Sequence, residues 1–167
     1  MFVYMTAEEI IKIFALKPLP DEGGFYTETY RAKEKINDLP AGYEGARNFS
    51  TAILYLITPQ SFSKLHRVKS DEIFHFYLGD AVEMLKIADG GKTETIVLGT
   101  DLLKNQKPQV VVPKNVWQGT RLIEGGKFAL LGCTVSPGFE FSDYQHGDRK
   151  LLIKQFPHLK QIIEKYI

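Results

Sequence analysis

The sequence HRVKSDE, from His66 to Glu72, decides the fold that we expect, together with PKNVWQ, from Pro113 to Gln118. Side chains alternate between the two faces of a strand, so residues two apart share a face. In the first stretch a strand ends near Val68, a turn follows, and a new strand begins at Glu72. If this turn pairs the two strands, His66 and Glu72 both point inward and form part of a pocket wall.

The second stretch predicts a turn followed by another strand of the same wall. Pro113 cannot donate to a strand ladder, and Asn115 tolerates the left-handed conformation. The chain then re-enters a strand with Val116, Gln118 and Thr120 on one side. Gln118 is therefore a candidate ligand-binding residue.

Short β-branched and aromatic runs, divided by Gly, Asp, Asn and Pro, extend outward from these stretches and predict about ten strands. Helical periodicity appears only near the two ends of the chain. We expect one domain over residues 1–167, with a barrel at about 24–141 and flanking helices at about 6–16 and 149–166. Many short strands with helices only at the ends indicate an all-β antiparallel sandwich or barrel.

Composition argues against several classes of partner. Lys and Arg number 21 against 20 Asp and Glu, so there is no excess positive charge for a nucleic acid or an anionic membrane. No apolar run reaches about 18 residues, and Met1–Met5 lacks the features of a signal peptide. With Cys133 as its single cysteine, the chain forms no intrachain disulfide. We expect a cytoplasmic protein that binds neither nucleic acid nor membrane.

The first stretch resembles the first signature motif of the cupin superfamily. That motif has two histidines one residue apart, then a glutamate, and a glycine seven residues after the glutamate. His66, Glu72 and Gly79 fit this spacing, while Val68 stands in the place of the second histidine.

The second stretch is similar to the second cupin motif, Pro-x-Gly-x-x-His. Pro113 matches its first position, Asn115 replaces the glycine and Gln118 replaces the histidine. The resemblance implies a double-stranded β-helix, or jelly roll, of the kind called RmlC-like.

A closer resemblance, over about residues 8 to 145, is to the group called cupin 5, or domain of unknown function 985. It implies the jelly roll and a homodimer, and it brings no established reaction. The matching words are EGGFYTETYR (22–31), SKLHRVKSDE (63–72), QVVVP (109–113), VWQ (116–118) and GCTVSPGF (132–139).

The resemblance also bears on metal binding. A metal-binding cupin usually offers three histidines and a glutamate, and this chain keeps only His66 and Glu72 at those positions. Val68 cannot ligate, and Gln118 offers a weak neutral amide oxygen. We expect no cofactor; if a divalent metal binds, its ligands are His66, Glu72 and Gln118.

Further residues are candidates for lining the pocket. Phe74 and Phe76 share the face of their strand with Glu72. Gln109 could line the pocket or face away from it. Tyr26 and Glu28 are candidates as well, although alternation does not choose which face of their strand is inward.

Three classes of function are compatible with this pattern. The first is a metal-independent enzyme, similar to an epimerase or isomerase, in which His66 and Glu72 perform acid–base chemistry on a polar small molecule. The second is a binding or sensing module that uses the same pocket. The third, a metal-dependent oxygenase or isomerase, ranks last because histidines are missing. A sugar-like substrate rests on fold analogy alone.

Overall fold

The chain folds mainly into β-strands, with short helices near both ends, in a computed structural model that describes residues 5–167. Residues 1–4, and with them most of the N-terminal segment considered above, lie outside this description. The helices are α1 (Ala7–Ile13), α2 (Arg149–Gln155) and α3 (Lys160–Ile163). The strands are β1 (Lys17–Pro18), β2 (Phe25–Arg31), β3 (Lys35–Ile36), β4 (Arg47–Asn48), β5 (Thr51–Ile57), β6 (Ser63–Val68), β7 (Asp71–Gly79), β8 (Val82–Ile87), β9 (Thr93–Leu98), β10 (Gln109–Val112), β11 (Trp117–Leu122), β12 (Ala129–Ser136) and β13 (Tyr144–His146).

The main strands form two open antiparallel sheets that face each other. One has the order β1-β2-β5-β12-β7-β10 and the other the order β13-β6-β11-β8-β9. Between β5 and β12 the chain changes sheet at every connection except the β8–β9 hairpin. This is the strand order of a jelly roll, so the predicted fold class is confirmed.

The apolar core lies between the two sheets, and the helices cover their outer faces. Tyr55 and Leu131 from the six-stranded sheet pack in one cluster with Met84 of the five-stranded sheet. On the outer face of the six-stranded sheet, Ile10 of α1 packs against Leu56 and is fully buried. Burying such a side chain contributes roughly 1.5–3 kcal/mol. A second outer cluster, on the five-stranded sheet, joins Leu65, Leu85, Leu152 and Ile163.

The cap at the start of α1 and two of the turns form at the residues that the sequence predicts. Thr6 and Glu9 form a capping box at the start of α1. Asn115 takes φ +63° and Gly79 takes φ +99°. A Cβ at Gly79 would lie 2.4 Å from the carbonyl oxygen of Phe128, so only glycine fits there. No helix in residues 5–167 is long and apolar enough to cross a membrane.

One predicted strand pairing is wrong. β6 pairs with β11 and β13, whereas β7 pairs with β12 and β10, so the turn after Val68 carries the chain from one sheet to the other. His66 and Glu72 still both point inward, because they project from the inner faces of opposite sheets. A β-bulge between β6 and β11 also brings Ser63 to the side of His66.

The segment 32–47 contains β3, which pairs with β4. A buried ion pair joins its end to the segment before β13: Arg47 Nε lies 2.6 Å from Asp143 Oδ2, and Nη2 lies 2.7 Å from Oδ1. The side chains are 3% and 0% exposed. Such a bidentate pair fixes both position and orientation. It therefore attaches residues 139–143 to the sheets.

We predict that Arg47→Met lowers the free energy of unfolding by about 3–5 kcal/mol, because it leaves the buried carboxylate of Asp143 without its main partner. Lys69 Nζ, 3.8 Å from that carboxylate, is too distant to replace the guanidinium. Urea unfolding measures the loss. The matched control is Lys104→Met, which breaks an exposed pair with Asp101 and should leave the free energy of unfolding nearly unchanged. Equal losses in the two variants would contradict the prediction.

Candidate functional site

A cavity of about 320 Å³ opens between the two sheets. This volume is within the usual range of small-molecule sites. The lining combines aromatic and aliphatic walls with six ionisable side chains that carry a carboxyl, guanidinium or imidazole group. It consists of Leu19, Glu22, Tyr26, Glu28, Arg31, Thr51, Ile53, Tyr55, His66, Val68, Glu72, Phe74, Cys133, Val135, Phe139, Glu140 and Phe141.

His66 is held from both sides of its ring. Its Nδ1 lies 2.8 Å from the carbonyl oxygen of Lys64, which can only accept, so Nδ1 carries a proton. Its Nε2 lies 2.7 Å from Nε2 of Gln118, the partner of His66 in the β6–β11 register. In the neutral ring Nε2 therefore accepts from the Gln118 amide. The ring of Tyr144 stacks on the imidazole, with centroids 5.2 Å apart.

Glu72 projects toward His66 from the opposite sheet, with only weak hydrogen-bond donors around it. Gln118 Nε2 lies 3.4 Å from its Oε2, and Cys133 Sγ lies 3.8 Å from its Oε1. Burial raises the pKa of Glu72 to about 7, and the charge of Glu22 adds to this rise. His66 and the two weak donors act in the opposite direction. The group can therefore gain or lose a proton near neutral pH.

Glu22 is a site residue that the sequence reasoning missed. Its carboxyl group accepts a hydrogen bond from Ser63 Oγ at 3.0 Å and lies 3.7 Å from Nε2 of His66. Two glycines with positive φ follow it, Gly23 at +93° and Gly24 at +71°. Any Cβ at these positions would collide with neighbouring atoms at 2.4 and 2.6 Å. The Glu-Gly-Gly word before a strand was the available signal, since it marks a turn folded tightly against the sheet.

The more exposed part of the lining, which we call the mouth, consists of residues on the inward face of β2 and of residues 139–141. Tyr26 and Glu28 are on this inward face, which settles the choice that alternation left open. After Glu28 a bulge shifts the register, so Arg31 lines the cavity and Tyr30 is exposed. No residue of the segment 32–47 is part of the lining.

The structure thus brings His66, Glu72 and Gln118 together, with Phe74, Tyr26 and Glu28 on the cavity wall. Gln118 stands behind the lining and reaches it through its two partners. Two predicted lining residues lie elsewhere. Phe76 packs in the core between the sheets, beyond the cavity. Gln109 is on the outer face of β10, where its amide contacts His75, because Val110 and Val112 take the inward positions.

In this structure His66, Glu72 and Gln118 are not arranged as a set of metal ligands. Val68 lines the cavity with an apolar side chain, and Nε2 of His66 is occupied by the Gln118 amide. Metal ligation needs lone pairs, and the amide presents its N–H groups to both His66 and Glu72. Within residues 5–167 no group of three or more His, Cys, Asp or Glu side chains is arranged to hold a metal.

We predict that Glu72 makes the protein less stable as pH rises. Folding raises the pKa of Glu72 from 4.5 to about 7, so its contribution is fully present below pH 4.5 and is lost as pH rises through 7. Between pH 4.5 and 8 the wild type should lose about 3 kcal/mol relative to Glu72→Gln, which cannot titrate at this position. Urea unfolding of both proteins at several pH values measures the difference in their free energies of unfolding. The contributions of most other titrating groups are the same in both proteins and cancel in this difference. A difference that stays constant with pH would rule out the raised pKa.

Solved structures similar to this chain share its whole length. A hypothetical protein from Leishmania major is 28% identical and matches with a TM-score of 0.90, covering 97% of this chain and 98% of that one. A protein from Shewanella oneidensis is 31% identical, with a TM-score of 0.87 and 98% coverage of both chains. Bacillus subtilis oxalate decarboxylase, an enzyme with Mn(II) centres, is 14% identical with a TM-score of 0.54, covering 92% of this chain and 38% of that one, and shows the fold alone.

An uncharacterised protein of Saccharomyces cerevisiae is 29% identical over 134 residues, which is 74% of this chain. The match spans 66% of the length of that yeast protein, just under two thirds. Residues 8–147 match the family described as Cupin superfamily (DUF985). Together with the jelly-roll order of the strands, this match shows that the chain belongs to the cupin 5 family of the cupin superfamily.

Proposed function

We propose that the cavity binds a polar small molecule and that Glu72 exchanges a proton with it, in metal-independent chemistry of the isomerase type. The observation that carries this proposal is a buried carboxyl group that faces the cavity with a pKa of about 7 and only two long contacts. A carboxyl group of this kind is suited to general acid–base work at neutral pH.

In such a reaction the ionised Glu72 takes a proton from one atom of the substrate and returns it to another, so atoms and charge balance without a cofactor. His66 supports this exchange as a neighbour that favours the ionised form. Both nitrogens of His66 already have partners, so Glu72 is the group placed to move the proton. A sugar-like substrate is one member of the class of polar ligands that such a site accepts.

A non-catalytic binding or sensing module is the second candidate. The same hydrogen bonds that occupy His66 also fix its ring before any ligand arrives. A preorganised wall increases affinity because little ordering remains to be done on binding.

Replacing Glu72 by Gln separates the two candidates, because it keeps the shape of the side chain and removes its titration. Native mass spectrometry of freshly purified protein first identifies a co-purified metabolite. With that compound as substrate, Glu72→Gln should lower turnover by roughly two to four orders of magnitude if the protein is an enzyme. Glu124→Gln makes the same change at an exposed position outside the cavity and should leave turnover unchanged.

Altered affinity with no turnover in the wild type would favour the binding module. Full turnover in Glu72→Gln would contradict the proposed role of this carboxyl group. One equivalent of Fe, Mn, Ni or Zn, lost on His66→Ala, would instead favour a metal-dependent cupin.

The proposal includes a homodimer formed through the outer face of the six-stranded sheet. Tyr77 and Val111 are about half exposed on this face, near the edge strand β10. Open edges and exposed apolar side chains favour pairing between identical copies. Sedimentation velocity at micromolar concentration should show a dimer, and Val111→Lys should shift it toward monomer. A wild-type protein that sediments as a monomer would contradict this expectation.

A further inference from the structure

The cavity carries an excess of negative charge in every protonation state of its central pair. Its lining contains four glutamates against one guanidinium and one imidazole. Even with Glu72 protonated and His66 charged, carboxylates outnumber cations by one. An anionic ligand would therefore meet net repulsion inside a partly desolvated site, where charges interact more strongly than in water.

The single guanidinium of the lining, that of Arg31, has no N–H bond left for an anion. Nε and Nη2 donate to the carboxylate of Glu28 at 3.0 and 2.8 Å, and Nη2 also donates to the carbonyl oxygen of Phe139 at 3.2 Å. Nη1 donates to Asn48 Oδ1 at 2.9 Å and to Glu140 at 2.7 Å. A guanidinium group has five N–H donors, and these contacts use all of them.

The carboxyl groups deeper in the cavity are less satisfied than those at its mouth. Glu28 and Glu140 are 40% and 45% exposed and share the single guanidinium of Arg31. Glu22 is 12% exposed and is bound by the neutral hydroxyl of Ser63, and Glu72 has only two long contacts. A ligand that donates hydrogen bonds and carries positive charge would satisfy both deep carboxyl groups.

Aromatic rings form much of the cavity wall. Tyr26, Tyr55, Phe74, Phe139 and Phe141 all line the cavity. The negative face of an aromatic ring attracts an organic cation, most strongly where water is excluded. The same rings also provide apolar surface for the body of the ligand.

From this combination we propose that the ligand is a compact organic amine, bound as an ammonium ion with its charged group at Glu22 and Glu72 and its apolar part against the rings. This inference rests on the proposed function, since it names the class of molecule that the same cavity takes. It excludes phosphorylated and carboxylated metabolites as preferred ligands.

Three benzene derivatives of similar size and different charge test the inference: benzylamine, benzyl alcohol and benzoate, each titrated into the full-length protein at pH 7.5 by calorimetry. Benzylamine should bind at least about tenfold more tightly than either of the others. Glu22→Gln should weaken the binding of benzylamine by about tenfold and leave that of benzyl alcohol nearly unchanged, because it removes only the negative charge of one deep carboxyl group. Glu124→Gln, outside the cavity, should leave all three affinities unchanged.

A second variant keeps the test decisive if Glu22→Gln does not fold. Glu28→Gln weakens the hold on Arg31 and removes one negative charge from the mouth, so benzoate should gain about tenfold in affinity. Benzoate binding as tightly as benzylamine to the wild type would overturn the amine preference, as would no benzylamine binding up to about 10 mM. Tight benzoate binding would leave the proposed small-molecule site standing. Full turnover of the co-purified metabolite by Glu72→Gln would instead count against the proposed proton transfer.

Discussion

The buried carboxyl group of Glu72 is the constraint on which the rest of the site depends. An ionised carboxylate between two packed sheets needs strong donors, and the structure supplies only an amide at 3.4 Å and a thiol at 3.8 Å. Protonation removes the cost of burying this charge. Because the pKa of Glu72 is raised to about 7, the group stays protonated up to about neutral pH. The hydrogen-bonding capacity of the Glu72 carboxyl group therefore stays partly unsatisfied where this group lines the cavity.

Gln118 determines what kind of site this becomes. Its amide turns the N–H groups toward the lone pairs of both His66 and Glu72, while its Oε1 has no hydrogen-bond partner in the part of the chain that the structure describes. A histidine in the same place would offer another lone pair, as metal coordination requires. A donor there instead holds His66 and Glu72 together, which supports the proton exchange that we propose.

Alternation along strands accounts for how much of the site the sequence could predict. Period two placed His66, Glu72 and Gln118 on inward faces, and the two spaced motifs predicted the jelly roll. Local patterns do not show which sheet a strand joins, so the pairing around Ser70 was wrong. Alternation also puts Gln109 and Val111 on one face of their strand, but it does not show whether that face points toward the cavity. Glu22 could not be placed by either rule, because it lies in a turn that packs Gly24 so closely against Tyr55 that a Cβ there would lie 2.6 Å from the ring.

The buried pair of Arg47 and Asp143 has a kinetic consequence for the cavity. It fixes one end of the short segment that carries Phe139 and Glu140, while Arg31 holds the other part through the Glu140 carboxylate. If this segment moves to admit a molecule wider than the mouth, the contacts of Arg31 to Glu140 and to the carbonyl oxygen of Phe139 open first, since the buried pair is far more costly to break. For the ligand that we propose, residence time would therefore depend on these contacts at the rim, separately from the affinity that Glu22 and Glu72 provide. Salt, which screens exposed pairs, should speed exchange at the rim more than it changes the contacts below it.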